Sequence, residues 1–540
     1  MPRRAQPSGQ AAALAPATAA GDAASPAAAG AGGPQSGDLR PAALQRQLLL
    51  ALLPCGPLLA LVLWPLQGLA IAGYAIEGLW PHGQPGLEDP LLPVLVFCGT
   101  LTLLALAWGP LAAGRGSGAL AVEGLQDPSL AAAERQRLLA VLGWRTQLQR
   151  LTLLALAHGA GLAVGIETAA AAFGASTLLA LRGRLLGLGA LPVSLLAAIG
   201  AGAGLGAAFR SPLLGVIYAL ECLGSSTGMS LVWPTLLLAG LASLLTWTPL
   251  GGILALQGSL AELGSQGVRG ALEGATTALA SGSPLGGLTQ LGTRSPWGAG
   301  PLGLVSGLGQ GGGLSLLLPW ALLLTLLAAL VGAGLRRAVL TLTPRIDRLL
   351  QQRFLPTALV MAVLAAVLAH RSGGISLNDG ARDLTAALTG AAAVPRWAAL
   401  PRLLSPLLAS ASGAPGGLSF DCMSLGALVV APLVRRLGAD QQLILIAIGA
   451  AVVFSAACRT PLLAAVFVVV VQGQGANLPL LLIACAIGAA VAGAIPDPPL
   501  AEAFGTLLHG VPLPAPAARP GADRWEPAGI SADRPSGGGD

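Results

Sequence analysis

The chain has 540 residues, of which 54% are hydrophobic and only 10% charged, and its mean hydropathy is +0.75. Soluble domains carry about 25% charged residues, so this composition excludes a soluble globular protein and indicates a polytopic helical membrane protein. The formal net charge is +6 and every basic residue is an arginine. Because the arginines flank apolar segments, we expect them to set membrane topology and not to bind nucleic acid.

Both ends of the chain differ in composition from its middle. Residues 1–42 are rich in Ala, Pro, Gly and Ser and are predicted to be a disordered tail. The Arg3-Arg4 pair lacks a following apolar core, which argues against a cleaved secretory signal, whereas an organelle transit peptide stays open. Residues 511–540 are predicted to be a second disordered tail. The membrane domain is therefore predicted over 43–510.

Apolar segments follow one another through this domain, and several are shorter than the roughly 20 residues that a bilayer crossing needs. In lipid a broken helix persists only where neighbours or a watery cavity satisfy its free backbone groups, so half-length helices predict an internal site. The Gly/Ser/Leu-rich stretch 251–313 is predicted to be an irregular loop between a first half at about 91–247 and a second half at about 314–509. In chain order the predicted helices are 46–73, 91–113, a short one ending near 124, 146–164, 167–181, 191–209, 212–223, 230–247, 314–342, 355–370, 384–411, 417–434, 441–457, 461–472, 478–494 and 498–509.

Two groups of arginines are assigned to loops between these helices, and the positive-inside rule places both loops in the cytoplasm. The six cysteines and four histidines are scattered without metal-ligand spacing, so we expect no metal, no disulfide framework and no cofactor. The arginines of the first group are Arg135, Arg137, Arg145 and Arg150, and those of the second are Arg336, Arg337, Arg345, Arg348 and Arg353.

The chain also contains an internal repeat. Residues 207–214 are Ala-Ala-Phe-Arg-Ser-Pro-Leu-Leu, and residues 456–463 are Ala-Ala-Cys-Arg-Thr-Pro-Leu-Leu. Each stretch follows a glycine-led helix start, near Gly165 and near Gly417. Duplicated halves of membrane proteins are commonly inverted and place a substrate site at their interface.

Two glycine-flanked breaks predict that this site binds an anion. Ser117 lies between two glycines, and Glu167 closely follows Gly165 at the start of an apolar helix. Helix amino ends carry a partial positive charge and expose free N–H groups, which attract anions. The alternatives are that Ser117 only caps a helix and that Glu167 is a structural glutamate at a helix end.

On these motifs the chain resembles the CLC family of chloride channels and chloride/proton antiporters, over about residues 46–509. The resemblance implies an all-α polytopic membrane protein, an inverted-repeat bundle of many full and broken helices, and transport of chloride or a similar anion. The matching motifs are Gly116-Ser117-Gly118-Ala119-Leu120, Gly165-Ile166-Glu167-Thr168-Ala169, Phe209-Arg210-Ser211-Pro212-Leu213, Ser372-Gly373-Gly374 and Ser412-Gly413-Ala414-Pro415-Gly416-Gly417.

The resemblance also implies roles for single residues. Ser117 would donate its hydroxyl to a central chloride, and Glu167 would be a gating glutamate whose carboxylate competes with chloride. The candidates for a proton path are Glu221, Glu123 and Asp421. The backbone of the anion site would come from Gly116, Gly118, Ile166, Leu418, Ser419 and Phe420.

The chain departs from the family pattern at three positions. Asp421 adds a carboxylate where the family has proline, and it is either a second gate or a helix cap. A tyrosine that contacts chloride in the family falls at Ala501, and the inner proton-handling glutamate of the antiporters falls at Cys222. Glu123 and Glu221 are either paired structural acids or, for Glu221, a substitute proton acceptor.

These departures favour a chloride channel or weakly coupled transporter, with a chloride/proton antiporter as the alternative. A non-conducting membrane scaffold is the alternative of another class, whereas no Ser/His or paired-Asp arrangement indicates an intramembrane enzyme. The family is dimeric, so we expect a homodimer in a bacterial plasma membrane, and the anion could equally be bromide, nitrate or fluoride. The helices expected at the dimer contact are 212–223, 230–247, 461–472 and 478–494.

Overall fold

A computed structural model describes residues 41–77, 91–185, 187–223, 229–246, 313–390, 394–473 and 475–495. The chain divides into a short unit, Met1–Leu44, of which only the first turn of a helix is described, and a large unit, Gln45–Asp540. Residues 1–40 and 511–540 of the predicted tails, 251–312 of the predicted loop and the predicted 498–509 helix lie outside the described residues. Residues 41 and 42, predicted to be tail, and residue 313, predicted to be loop, are instead the first residues of helices. The described ranges contain 17 α-helices and no strand. These helices are α1 (Pro41–Glu77), α2 (Leu91–Ala107), α3 (Ala119–Gly124), α4 (Ala132–Val141), α5 (Trp144–Gly159), α6 (Glu167–Leu181), α7 (Val193–Ala208), α8 (Pro212–Cys222), α9 (Met229–Ser243), α10 (Gly313–Gln352), α11 (Phe354–Arg371), α12 (Ala381–Thr389), α13 (Ala399–Ala411), α14 (Ser419–Val434), α15 (Ala439–Cys458), α16 (Pro461–Gln472) and α17 (Leu478–Gly493).

Four of these helices are long and apolar enough to cross a bilayer: α1, α10, α11 and α15. Eight others are apolar but only 10–17 residues long, as the half-length segments of the sequence predict. α10 and α11 turn leucines and valines outward, where they contribute no packing within the chain but suit contact with lipid. α15 is largely buried by its neighbours. The short helices therefore surround a protein interior, which can satisfy the backbone groups at their broken ends.

The internal repeat is present in the fold. In the first half α6 packs on α7, which also contacts α8 and α9. In the second half α14 packs on α15, which also contacts α16 and α17. The two sets of four helices follow one another in the same order, with the same neighbours, so the all-α duplicated bundle is confirmed.

The repeated Arg-Ser/Thr-Pro motif forms the same hinge twice. Arg210 separates α7 from α8 with φ +49°, and Arg459 separates α15 from α16 with φ +59°. Each arginine donates to a backbone carbonyl near the end of the next-but-one helix: Arg210 to Ser243, and Arg459 to Ile495. These side-chain bonds hold each hinge in a left-handed conformation that non-glycine residues seldom adopt.

Glycines bring the paired helices into backbone contact. A Cβ atom on Gly174 of α6 would overlap the carbonyl oxygen of Gly200 on α7. In the second half a Cβ on Gly426 of α14 would overlap the carbonyl oxygen of Gly449 on α15. Small residues let membrane helices approach closely, so the glycine-rich run of α7 serves helix packing.

Several predicted helix boundaries are wrong, and the helices predicted over 91–113 and 146–164 end already at Ala107 and Gly159. The segment predicted as one helix over 384–411 is two helices, α12 and α13, because Gly390 ends α12 with φ +68°. The helix predicted to end at 342 continues to Gln352 through Pro344. The chain thus breaks where glycine ends a helix and continues through a proline whose neighbours keep the helical pattern.

The assignment of both arginine groups to loops is also wrong. Four of the first group lie on α4 and α5, and four of the second lie on α10; Arg353 separates α10 from α11. Two of these arginines are fully buried, Arg150 on α5 and Arg336 on α10. Arg336 donates to the carbonyl oxygens of Ala456 and Ala492 at 3.0 and 2.9 Å. Its guanidinium therefore binds the carboxyl ends of α15 and α17, which carry partial negative charge.

Candidate functional site

The amino ends of α6 and α14 meet at an antiparallel backbone bridge between Gly165 and Gly417. Each glycine N–H donates to the carbonyl oxygen of the other at 3.0 Å. α6 begins two residues after Gly165 and α14 begins two residues after Gly417. The bridge therefore fixes two positively polarised helix ends beside each other, one from each half.

Glu167 is the first residue of α6, and its side chain is 3% exposed. Its Oε1 accepts a hydrogen bond from the backbone N–H of Phe420, in the first turn of α14, at 3.3 Å. Its carboxyl group also lies against both bridge glycines, because a Cβ on Gly165 or on Gly417 would meet it. Its Oε2 has no hydrogen-bond partner in the described part of the chain. The carboxylate thus occupies the point at which both helix ends are directed.

The Gly116-Ser117-Gly118 break lies next to the same helices. The N–H of Gly116 donates to the carbonyl oxygen of Gly413 at 3.4 Å, which joins this break to the loop before α14. A Cβ on Gly118 would lie 2.6 Å from the Cβ of Ala172 on α6. Ser117 is buried, and its hydroxyl has no partner among the described residues. A buried hydroxyl is normally hydrogen-bonded, so this one is free to donate to a ligand.

Arg150 is a part of this site that the sequence interpretation missed. It is fully buried on α5, where its Nε donates to the carbonyl oxygen of Gly116 and its Nη1 to Oε1 of Gln147, at 3.3 and 2.7 Å. A Cβ on Gly118 would lie 2.6 Å from Nη1. A full positive charge therefore lies directly behind the backbone that carries Ser117. The sequence analysis assigned Arg150 to a cytoplasmic loop, because arginines beside apolar segments usually flank a membrane span.

The other predicted backbone positions are at the two helix ends. Ile166 is the residue before α6, Leu418 is the residue before α14, and Ser419 begins α14. The ring of Phe420 packs against Phe209 and Phe467, with centroids 5.8 and 5.3 Å away. One ring from the first hinge and one from α16 therefore pack against the first turn of α14.

Asp421 is fully buried in the first turn of α14 and forms an ion pair with Arg402 of α13, at 3.4 Å between Oδ1 and Nη1. The same guanidinium binds Asp383 of α12 at 3.1 Å. It also donates to the carbonyl oxygens of Ile375, Leu377 and Asn378. Asp421 therefore belongs to an ion-paired network, and no hydrogen bond described for it caps α14.

A second group of buried polar residues adjoins this network and was not predicted. The hydroxyl of Tyr74 on α1 donates to Oδ2 of Asp379 at 2.8 Å. The amide of Asn378 donates to Oε2 of Glu77, the last residue of α1, at 3.0 Å. Asp379, Asp421 and Tyr74 are all close enough to Glu167 to interact with it electrostatically. Separations of about 300 residues left no sequence signal for these contacts.

The two remaining predicted acids lie around Cys222, at the end of α8. Glu221 accepts hydrogen bonds from the backbone N–H groups of Leu462 and Leu463, at 2.9 and 2.6 Å, and so caps α16 of the other half. Glu123 lies at the carboxyl end of α3 and interacts electrostatically with Cys222 and Tyr218. Both acids therefore lie near the thiol of Cys222, at the position where the resemblance implies a glutamate.

Comparison with known proteins places the chain among anion transport proteins. A family model described as voltage gated chloride channel matches residues 96–493. No curated protein matches the chain in sequence.

Solved structures share the fold at low sequence identity. A slow cyanobacterial Cl−/H+ antiporter has a TM-score of 0.60 at 17% identity, and the alignment covers 86% of this chain and 98% of the antiporter. A eukaryotic CLC transporter has a TM-score of 0.56 at 18% identity, over 87% of this chain and 75% of that one. A CLC-type fluoride/proton antiporter has a TM-score of 0.54 at 19% identity, over 85% and 98% of the two chains.

Proposed function

The chain belongs to the voltage-gated chloride channel family, and from this premise we propose that it moves chloride, or a similar small anion, through a site gated by Glu167. One observation carries the proposal: the Phe420 N–H donates to the Glu167 carboxylate at the meeting point of two helix ends. These helix ends bind the Glu167 carboxylate, and the same N–H groups and the same partial positive charge attract a halide. The carboxylate and the anion would therefore compete for one place.

The binding site that we propose uses neutral donors in front and a charge behind. Ser117 contributes a hydroxyl, and Gly116, whose N–H donates to Gly413, contributes only its shape. The N–H groups come from the backbone at Gly118, Ile166, Leu418, Ser419 and Phe420. Arg150 contributes a positive charge from behind the backbone of Gly116 and Gly118. Conduction needs anion binding that is strong enough for entry and weak enough for exit. Neutral donors beside the anion allow exit, and the charge of Arg150 behind them favours entry.

The mode of transport that we favour is a channel or a weakly coupled exchange. At the position where the resemblance implies the inner proton-handling glutamate of the antiporters, this chain has Cys222. The simplest inner proton acceptor is therefore missing from that position. Proton-coupled exchange is the second candidate, because Glu123 and Glu221 both lie near Cys222. It is also the activity named for two of the structures with this fold, which are chloride/proton and fluoride/proton antiporters.

We further propose a homodimer in the plasma membrane. The helices expected at the contact are α8, α9, α16 and α17, and each exposes at least one large apolar side chain. Leu213, Leu236, Leu462 and Ile483, one on each of these helices, are exposed. A second copy or lipid would cover this face equally well by chemistry, so cross-linking in membranes is the test of the dimer.

The experiment that tests the proposed function is anion flux from liposomes at two pH values. We expect the purified wild type to release chloride faster at acid pH, because protonation removes the charge with which Glu167 competes. Glu167→Gln should give fast release at both pH values. Glu134→Gln is the matched control, since Glu134 is on the surface of α4, 3.7 Å from Arg137.

The outcomes separate the candidate functions. No chloride release from well-folded wild type would favour the membrane scaffold. Release that is unchanged by Glu167→Gln at either pH would contradict gating by Glu167. Acidification or alkalinisation of the liposomes by a chloride gradient would favour the antiporter over the channel.

A further inference from the structure

Four buried carboxyl groups lie together behind the gate, and we call Glu77, Asp379, Asp383 and Asp421 the acidic cluster. Glu77, Asp379 and Asp421 are at most 3% exposed, and the Asp383 side chain is 12% exposed. The cluster spans α1, the loop before α12, α12 itself and the first turn of α14. Glu167 lies close enough to Asp379 and Asp421 to interact with both. Asp421 also directly follows Phe420, whose backbone N–H donates to the Glu167 carboxylate, so the cluster adjoins the gate through the first turn of α14.

Little positive charge accompanies the carboxyl groups of the acidic cluster. Arg402 is fully buried and forms ion pairs with Asp383 and Asp421. The uncharged side chains that face the cluster are Tyr74 and Asn378, and His158 of α5 lies beside Gly73 and Asn378. The four described carboxyl groups therefore outnumber the one guanidinium that pairs with two of them, and binding a proton would reduce this excess of negative charge.

Unpaired acceptors indicate what the cluster binds. Oδ2 of Asp421, Oε2 of Glu167 and Oδ1 of Asn378 are all buried and have no donor within the described ranges. Buried acceptors are normally paired with a donor. A proton on either carboxyl group neutralises its buried charge without any further residue, whereas an anion would be repelled here. The vacant positions therefore suit a proton.

We propose that the acidic cluster is a proton-binding site that shares protons with Glu167 and sets the pH at which Glu167 leaves the anion site. In each exchange one O–H bond breaks on a cluster carboxyl group and one forms on the Glu167 carboxylate, so the net charge of the pair is unchanged. This inference rests on the proposed gating by Glu167. It assigns a proton function to α1, α12 and α14.

Asp379 is the member whose removal gives the clearest test. Both of its oxygens accept hydrogen bonds, from Tyr74 and from the N–H of Ala381 at 3.0 Å, which suits a negatively charged carboxylate. Asp379→Asn removes that charge beside Glu167, so the Glu167 carboxylate persists to lower pH. We expect the pH of half-maximal chloride flux to move to lower pH by roughly 1 unit, the size of one screened charge at this range.

The measurement is chloride flux from liposomes at pH values from about 3 to about 8, a range that includes the ordinary pKa values of carboxyl groups, for the wild type, Asp379→Asn, Asp421→Asn and Glu134→Gln. Flux at acid pH shows that a variant is folded. A shift in Asp379→Asn, or in Asp421→Asn if Asp379→Asn does not fold, with none in Glu134→Gln, is the expected result.

Superimposable profiles for the wild type and for every folded cluster variant would overturn the inference. If Glu167→Gln still removes the pH dependence in that case, the proposed gate stands without the cluster. If Glu167→Gln also leaves the pH dependence unchanged, the proposed function itself is contradicted. The two failures are therefore distinguishable in one set of vesicles.

Discussion

Gly165 and Gly417 exchange two backbone hydrogen bonds of 3.0 Å across the boundary between the two halves of the chain. The pairing is antiparallel, so the segments that lead into α6 and α14 run in opposite directions. The same two glycines form the wall against which the Glu167 carboxyl group rests. One contact therefore joins the halves, directs their helix ends and leaves room for the gate.

The close contact between Gly417 and the Glu167 carboxyl group gives the first prediction. A Cβ on Gly417 would lie 2.5 Å from Oε2 of Glu167, so Gly417→Ala should displace the carboxylate from the helix ends. We expect chloride flux at neutral pH to rise toward the value of Glu167→Gln. Gly334→Ala on α10 is the matched control, because nothing lies within 4 Å of its added Cβ. Flux in Gly417→Ala that equals the wild type at each pH would show that the carboxylate does not need this space.

The unpaired hydroxyl of Ser117 gives the second prediction. If it donates to the anion, Ser117→Ala should weaken chloride binding by about 1 kcal/mol, or roughly fivefold in affinity, the net worth of one hydrogen bond. Titration calorimetry of the purified protein with chloride measures this directly. Ser176→Ala is the control, since its hydroxyl binds the carbonyl oxygen of Ala172 within α6. Equal affinities for both variants would leave Ser117 as a structural residue.

The buried charge of Arg150 gives the third prediction. Arg150→Gln should lower chloride affinity more than Ser117→Ala does, because it removes a full charge from a poorly screened interior. It should also lower the melting temperature, since the carbonyl oxygen of Gly116 and Oε1 of Gln147 lose their donor. Arg150→Lys keeps the charge and should recover more of the affinity than of the stability. An unchanged affinity in Arg150→Gln would contradict an electrostatic role.

Local features of the sequence predict much of this site, and distant pairings account for what was missed. The Arg-Ser/Thr-Pro hinges and the breaks at Gly116 and Gly165 are local features, so their positions follow from the chain itself. Tyr74 and Asp379 are 305 positions apart, and nothing in either neighbourhood specifies the other. Apolar surroundings made Arg150 look like a helix-end residue, although the fold supplies carbonyl groups that let it be buried.

The helix boundaries were missed for a different reason. Gly390, which ends α12 with φ +68°, is a recognisable stop signal, but the apolar segment on either side of it looks continuous. Pro344, by contrast, lies within α10 without ending it. Neighbouring helices decide such cases in a membrane protein, because they can satisfy the carbonyl group that a proline leaves free.

The last prediction concerns Glu221, for which the structure gives a cap and the family resemblance suggests a proton role. Glu221→Gln keeps one carbonyl oxygen for the N–H groups of Leu462 and Leu463 and loses the charge that favours the amino end of α16. We therefore expect a destabilisation of about 1 kcal/mol, measured as a lower melting temperature in detergent. Chloride flux and its pH dependence should match the wild type. A variant with unchanged stability but altered proton movement would reverse the assignment and make Glu221 a proton acceptor.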